Sequence, residues 1–178
     1  PYFIDAVRQG VGKFYGVGIA SGKAGYYIAY PIKSDQDLLG VITIKIGLAD
    51  IQKALSETKN DLVVINEDGV VILSSDPAMR YKTTRVLDEA ALERIATTKQ
   101  FPGQPLASLN YMGAPIQIDV KEPVSLVGTN RFMVQSVPLG SRGWQSAQFS
   151  DTREARNYAM ATALAVGFAM GFLLITAQ

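Results

Sequence analysis

An α+β fold of antiparallel-sheet modules, followed by a C-terminal transmembrane helix, is what this sequence predicts on three observations. Between Tyr26 and Ile46, β-branched and aromatic residues recur with strand-like alternation around a short polar turn. The apolar runs 62–66 and 70–74 flank Glu67-Asp68-Gly69, a hairpin signature in which glycine takes the positive φ of the turn. Finally, Tyr158 to Ala177 runs for twenty residues without a charge, the length a helix needs to cross about 30 Å of hydrocarbon.

Composition narrows the function classes. At 178 residues and 48% hydrophobic content the chain has room for one to two domains with a real core. Cysteine and histidine are both absent, which excludes disulfides, thiolate metal sites and thiol nucleophiles, and removes the commonest general base. No cofactor is expected. A net charge of +1 with interspersed signs leaves no basic footprint for nucleic acid.

Pro1 to Gly10 reads as a short helix, with Phe3, Ala6 and Val7 as its apolar stripe and Gly10 at its end. Its abrupt start suggests upstream sequence. Lys13–Val17 follows as a strand, 18–25 as a loop of small residues, and Tyr26–Ile32 as a strand expected to end where Pro31 removes a donor. After the turn 33–37 comes Val41-Ile42-Thr43-Ile44-Lys45-Ile46, in which Ile42, Ile44 and Ile46 share one face while Thr43 and Lys45 share the other. Lys45 is then either a solvated charge or a cation aimed into a pocket. Three strands with short connections imply an antiparallel sheet.

Leu48, Ile51, Ala54 and Leu55 have helical spacing, which Lys59-Asn60-Asp61 breaks; a domain boundary is expected there. Beyond the hairpin, 75–85 is irregular, 88–98 is a helix with Leu87, Ala91, Leu92 and Ile95 on its apolar face, and 100–111 is a partly packed loop. Pro115–Val120, Arg131–Val137 and Trp144–Phe149 read as strands. Trp144 is expected in the core, Asp68-Gly69 in a turn, and Arg80-Tyr81 as an anchor between helix and sheet. Arg153, Glu154 and Arg156 read as the solvated start of the membrane helix, in which Ala163, Gly167 and Gly171 form a small-xxx-small repeat suited to a dimer.

The initial helix, Phe14-Tyr15-Gly16-Val17-Gly18, Gly25-Tyr26-Tyr27, Tyr30-Pro31-Ile32 and the strand Gly40–Ile46 together resemble the extracytoplasmic sensor region of bacterial dicarboxylate-transport sensor histidine kinases. Residues 68–75 and Met79-Arg80-Tyr81-Lys82-Thr83 are similar to that family's second sensor module. The resemblance implies a tandem PAS-like (double Cache) sensor: 1–58 the C-terminal part of a membrane-distal ligand-binding module, 59–151 a membrane-proximal module, 152–178 the juxtamembrane and transmembrane helix. It implies a periplasmic sensor in the inner membrane, a homodimer that binds a small dicarboxylate such as succinate, malate or fumarate and reaches a cytoplasmic response regulator through its kinase.

Carried onto this sequence, the resemblance makes Lys45 the cationic partner of one carboxylate. Tyr2 matches the tyrosine of the family's Arg-Pro-Tyr-Phe motif, whose arginine would precede Pro1. The loop Gly18-Ile19-Ala20-Ser21 stands where the family often has Gly-Thr-Thr, so Gly18, its neighbouring amides and Ser21 are candidate contacts with part of the hydroxyl set lost. Thr43 shares the Lys45 face, and Tyr26 and Tyr27 point oppositely, so at most one of the two, Tyr27 in this reading, faces ligand; a packed core tyrosine is the alternative for each. The same input modules also serve chemoreceptors and nucleotide cyclases. An enzyme would have to build on a Ser/Lys pair or on paired carboxylates; Ser21 and Lys23 lie close in a loop, but nothing there supplies an oxyanion hole or an orienting partner.

Overall fold

The computed structural model describes residues 1–35, 37–111, 113–118, 124–127, 132–140, 143–153 and 160. Pro1 leads into helix α1 (Tyr2–Gln9), which stops at Gly10 in the left-handed region with its amide bonded to Ala6 O. Strands β1 (Gly12–Val17), β2 (Ala24–Ser34) and β3 (Asp37–Gly47) form an antiparallel sheet in chain order. Its register pairs Tyr15 with Tyr26 and Ile46, and Phe14 with Tyr27 and Lys45. Side-chain alternation therefore sorts Tyr15, Val17, Tyr26 and the three isoleucines to one face, and Phe14, Tyr27, Thr43 and Lys45 to the other.

Contrary to expectation, β2 does not end at Pro31; Pro31 pairs with Val41 inside the ladder. Val17 N–H points out of the sheet to Gln100 O, so the Gly16–Gly25 pair is the bonded one and, by alternation, Ala29 and Pro31 turn their amides toward the β1 side. Pairing with β1 stops at Ala29. The missing proline donor thus faces a position where no β1 residue waits for it, as for an edge strand.

Helix α2 (Ala49–Ser56) continues from β3 and precedes the hairpin of β4 (Asp61–Ile65) and β5 (Val71–Ser74), with Gly69 at φ 84° in its turn. A 3₁₀ turn (Pro77–Met79) follows, and α3 (Glu89–Thr98) is N-capped by Asp88, whose Oδ1 accepts from Ala91 N at 2.7 Å. Ala91 and Ile95 are buried on α3, whereas Leu92 is 50% exposed and leaves the expected stripe. Then come β6 (Asn110–Tyr111), β7 (Ala114–Pro115), β8 (Val124–Val127), β9 (Phe132–Leu139) and β10 (Trp144–Asp151). The larger sheet has the order β5-β4-β10-β9-β8, all neighbours antiparallel. The last long strand is thereby inserted between β4 and β9.

Of the strand expected over 115–120, Pro115 lies in β7 and 116–118 lie in no strand. Ile116 and Ile118 are buried with Gln117 exposed between them, so the alternation is real. Their amides bond to Leu109 O and Thr84 O, two separate loop carbonyls, and no ladder forms; residues 119 and 120 lie outside the described set. β8 was not anticipated. The membrane-crossing segment expected over 158–177 lies outside the described residues except for Met160, as do Glu154 and Arg156. Among the described residues no helix is long and apolar enough to cross a membrane.

Two apolar clusters hold these layers. Val63, Ile65, Met79, Tyr111, Phe132 and Phe149 fill one face of the larger sheet. The second cluster joins Tyr15, Val17 and Leu48 to Val64, Ile72, Leu73, Ile95 and Phe101, with Tyr26 and Trp144 packed against it. The two sheets therefore share a core. Polar contacts line the same seam: Tyr15 Oη donates to Ile72 O at 3.3 Å, and Val17 N to Gln100 O at 2.9 Å.

Candidate ligand-binding face

The face of the smaller sheet that bears α1 gathers most of the residues singled out from sequence. The Tyr2 ring stacks on Tyr27, centroids 5.2 Å apart and planes 4° from parallel, and Phe14 tilts against both. Lys45 lies beside this stack, its Nζ 5.5 Å from the centre of the Tyr27 ring, a cation–π distance. Neighbouring residues explain why the stem lies flat. A Cβ on Gly25 would come within 2.7 Å of Lys45 Cε, so glycine at that ladder position leaves the channel the lysine crosses.

Tyr2 and Tyr27 are half-buried, while Lys45 and Thr43 are exposed. Thr43 pairs with Ala29 one alternation along the same face. The ion pairs among the described residues are Arg94–Asp68 and Arg153–Asp151, and Lys45 belongs to neither. Its ammonium is open to an added carboxylate, and the aromatic stack offers an apolar wall beside it.

Gly18 and Ser21 sit in the loop beyond β1, at the sheet end where Gly25 pairs with Gly47, two residues from the Tyr27–Lys45 row. There the loop is closed on itself: Gly18 N donates to Lys23 O, Gly22 N to Gly18 O, and Lys23 N to Ser21 Oγ. The Ser21 hydroxyl is thus engaged in shaping its own turn and lies close over Gly18, whose Cβ would meet it at 2.5 Å. Tyr2, Tyr27, Thr43 and Lys45 share a face; Gly18 and Ser21 stand at its end.

Phe14 completes the aromatic group and was not singled out as a contact. The signal was present, since Gly12, Phe14 and Gly16 alternate onto the same side. Tyr26 takes the opposite face and meets Trp144 edge-on at 5.4 Å. Trp144 is half-buried; its ring also meets Tyr15 at 6.0 Å, and its Nε1 donates to Glu67 Oε2 at 2.7 Å.

Elsewhere several charged groups are engaged within the chain. Arg80 places its guanidinium 4.8 Å over the Tyr81 ring and donates to Tyr81 Oη. Asp68 is buried in the hairpin turn, where it accepts from Arg94, and Arg85 donates to the carbonyls of Glu67 and Asp68. Loss of solvation raises the Asp68 carboxyl above its usual range despite Arg94. Arg153 pairs with Asp151, two residues back.

No family model matches the chain. It is 34% identical over 104 residues to the C4-dicarboxylate transport sensor protein DctB of Pseudomonas aeruginosa, a match covering 58% of this chain and 17% of that protein. The chain thus spans about a sixth of that relative's length. The crystal structure of the V. cholerae histidine kinase DctB sensor domain superposes with a TM-score of 0.70 at 26% identity, covering 85% of this chain and 59% of that one. The ligand-binding domain of the Pseudomonas fluorescens chemoreceptor CtaA, in complex with L-isoleucine, shares the fold alone, at 16% identity and a TM-score of 0.55 over 89% of this chain and 59% of that one. On sequence and structure together, the chain is a homologue of the sensor region of the C4-dicarboxylate transport sensor proteins and carries its PAS-like (Cache) α+β fold.

Proposed function

We propose that this chain is the periplasmic sensor portion of a two-component receptor histidine kinase that detects small dicarboxylates such as succinate, malate or fumarate. The observation that carries this reading is the meeting of Tyr2, Tyr27 and Lys45 on one face of the smaller sheet, in a chain whose sequence aligns with a C4-dicarboxylate transport sensor. Residues 1–58 supply part of the membrane-distal ligand-binding module and 59–151 the membrane-proximal one. The helix expected from about Thr152 onward passes the signal through the inner membrane, in a homodimer, toward a kinase and its response regulator. Ligand acts by its differential affinity for two arrangements of the distal module.

Lys45 supplies the charge-assisted contact to one carboxylate. Its replacement, Lys45→Ala, should weaken succinate binding by roughly 1.5–3 kcal/mol, the range for a hydrogen bond to a charged group, which is about 10- to 150-fold in affinity. Calorimetric titration of succinate and malate measures this on two soluble forms ending before Asn157, one starting at Pro1 and one extended upstream through the expected arginine. Unchanged affinity in the variant removes Lys45 from the site. No binding to either form, with both folded by circular dichroism, overturns the dicarboxylate assignment. The chemoreceptor-like fold supports a second reading, the same module driving a chemoreceptor or nucleotide cyclase. Sequence after Gln178 separates the two, since a kinase requires a histidine-bearing dimerisation helix followed by an ATP-binding domain.

A further inference from the structure

We propose that the carboxamide of Gln52 is the coupling between the ligand-bearing sheet and the larger sheet, a positioning residue through which a change at the Lys45 strand reaches β5. This rests on the reading that ligand is sensed at the smaller sheet. The geometry is specific. Gln52 Nε2 donates to Ser74 O at 2.6 Å, and Gln52 Oε1 accepts from Ser74 N at 3.3 Å, so one side chain satisfies both backbone groups of one residue. A primary amide has the donor and acceptor of a peptide unit, and here it takes the place of a neighbouring strand.

That position matters because β5 is the terminal strand of its sheet. An unpaired edge at Ser74, which is fully buried, would leave two backbone groups without partners. At its other end the same edge is closed by main chain, with Val71 N bonded to Lys82 O and Tyr81 N to Val71 O. Gln52 closes the end nearest α2.

Covalent continuity supplies the other half of the argument. Lys45 lies near the end of β3, and only Ile46, Gly47 and Leu48 separate it from α2. Leu48 is buried in the shared core and Leu55 packs against it, so α2 is seated by its apolar side while Gln52 fixes it along the β5 edge. A shift of β3 that moves α2 has to stretch or break a pair of hydrogen bonds to Ser74. From β5 the sheet continues through β4 to β10, which ends at Asp151.

Hydrogen exchange on the natural full-length protein in nanodiscs, with and without succinate, tests this alongside succinate affinity. Gln52→Leu removes both bonds and keeps the helix; Gln52→Glu keeps only an acceptor for Ser74 N; Ser56→Ala removes two bonds within α2, from Gln52 Nε2 to Ser56 Oγ at 3.1 Å and from Ser56 Oγ to Gln52 O at 2.9 Å, leaves the Ser74 pair in place and serves as the control. The expected result is that Gln52→Leu binds succinate within about twofold of wild type, while the succinate-induced change in exchange over 71–76 disappears and Ser74 exchanges about tenfold or more faster. Gln52→Glu should lose part of the response and Ser56→Ala none. A Gln52→Leu response equal to wild type overturns the proposal, as does a tenfold loss of succinate affinity, which would make Gln52 part of the site itself. If wild type shows no succinate binding, the dicarboxylate reading fails on its own; equal ligand-free exchange at Ser74 in wild type and Gln52→Leu then overturns the clamp.

Discussion

Trp144 is the sharpest place to test whether the two sheets are held as one folding unit. Three contributions can be separated there: edge contacts with Tyr15 and Tyr26, the Nε1 bond to Glu67, and burial of the ring. Each aromatic contact is worth about 0.5–1.5 kcal/mol. The bond to a carboxylate at a partly solvated position is worth about 1 kcal/mol. With ring burial, Trp144→Ala should cost about 3–5 kcal/mol, whereas Trp144→Phe keeps an aromatic ring in place and should cost about 1 kcal/mol. Urea unfolding followed by far-UV circular dichroism reads both through the midpoint at constant m. Trp144 is the only tryptophan, so wild-type fluorescence reports the seam directly and should redden in the same transition. A Phe variant as destabilised as the Ala variant, or an Ala variant within about 1 kcal/mol of wild type, would refute the packing argument.

Two further stability predictions concern the hairpin turn. Gly69→Ala should cost about 1–2 kcal/mol, because the residue sits at φ 84° and the new Cβ would come within 2.7 Å of Arg85 Cγ; an unchanged urea midpoint would contradict this. Asp68 binds a proton more readily when folded than when unfolded, since its pKa is raised chiefly by burial. Its contribution to stability therefore falls as pH rises from the ordinary aspartate value of about 3.9 through the raised folded value, and is flat above it. Relative to Asp68→Asn, wild type should gain stability as pH is lowered through that window, read as a difference of urea midpoints. A flat difference would show that Arg94 cancels desolvation, and a reversed one that it outweighs it; either contradicts the prediction.

Local chemistry made much of this fold legible. Glu67-Asp68-Gly69 between two apolar runs specifies a hairpin without help from the rest of the chain, and Gly10 stops α1 by its own φ. The period-two reading of β3 put Thr43 and Lys45 on one face correctly, because alternation is a property of the strand alone. What alternation does not say is which face is covered. Ile42, Ile44 and Ile46 are 54%, 56% and 42% exposed in this chain, while the opposite face carries α1. The order β5-β4-β10-β9-β8 was equally out of reach, since β10 enters between β4 and β9 by contacts between residues about eighty apart. Residues 116–118 depart from the expected strand for a related reason: burial of Ile116 and Ile118 is encoded locally, but a ladder needs a partner strand, and their amides meet two loop carbonyls instead.

The candidate face and the seam meet in one peptide unit. Tyr27 turns toward Tyr2 and Lys45, and Tyr26, its neighbour, turns toward Trp144. Successive side chains of a strand leave opposite sides of a fixed pleat, and β2 is the central strand, bonded on both edges at these residues. Tyr26 and Tyr27 therefore cannot be repositioned independently: a rotation of β2 that opens the Tyr2–Tyr27 stack must also move Tyr26 against the indole. Trp144 in turn begins β10, the strand leading to Asp151. The Tyr2–Tyr27–Lys45 face and the packed core are thus two sides of a single element, and a substitution at Tyr26 that leaves β2 unrotated should alter the fluorescence of Trp144 while removing no contact of Lys45.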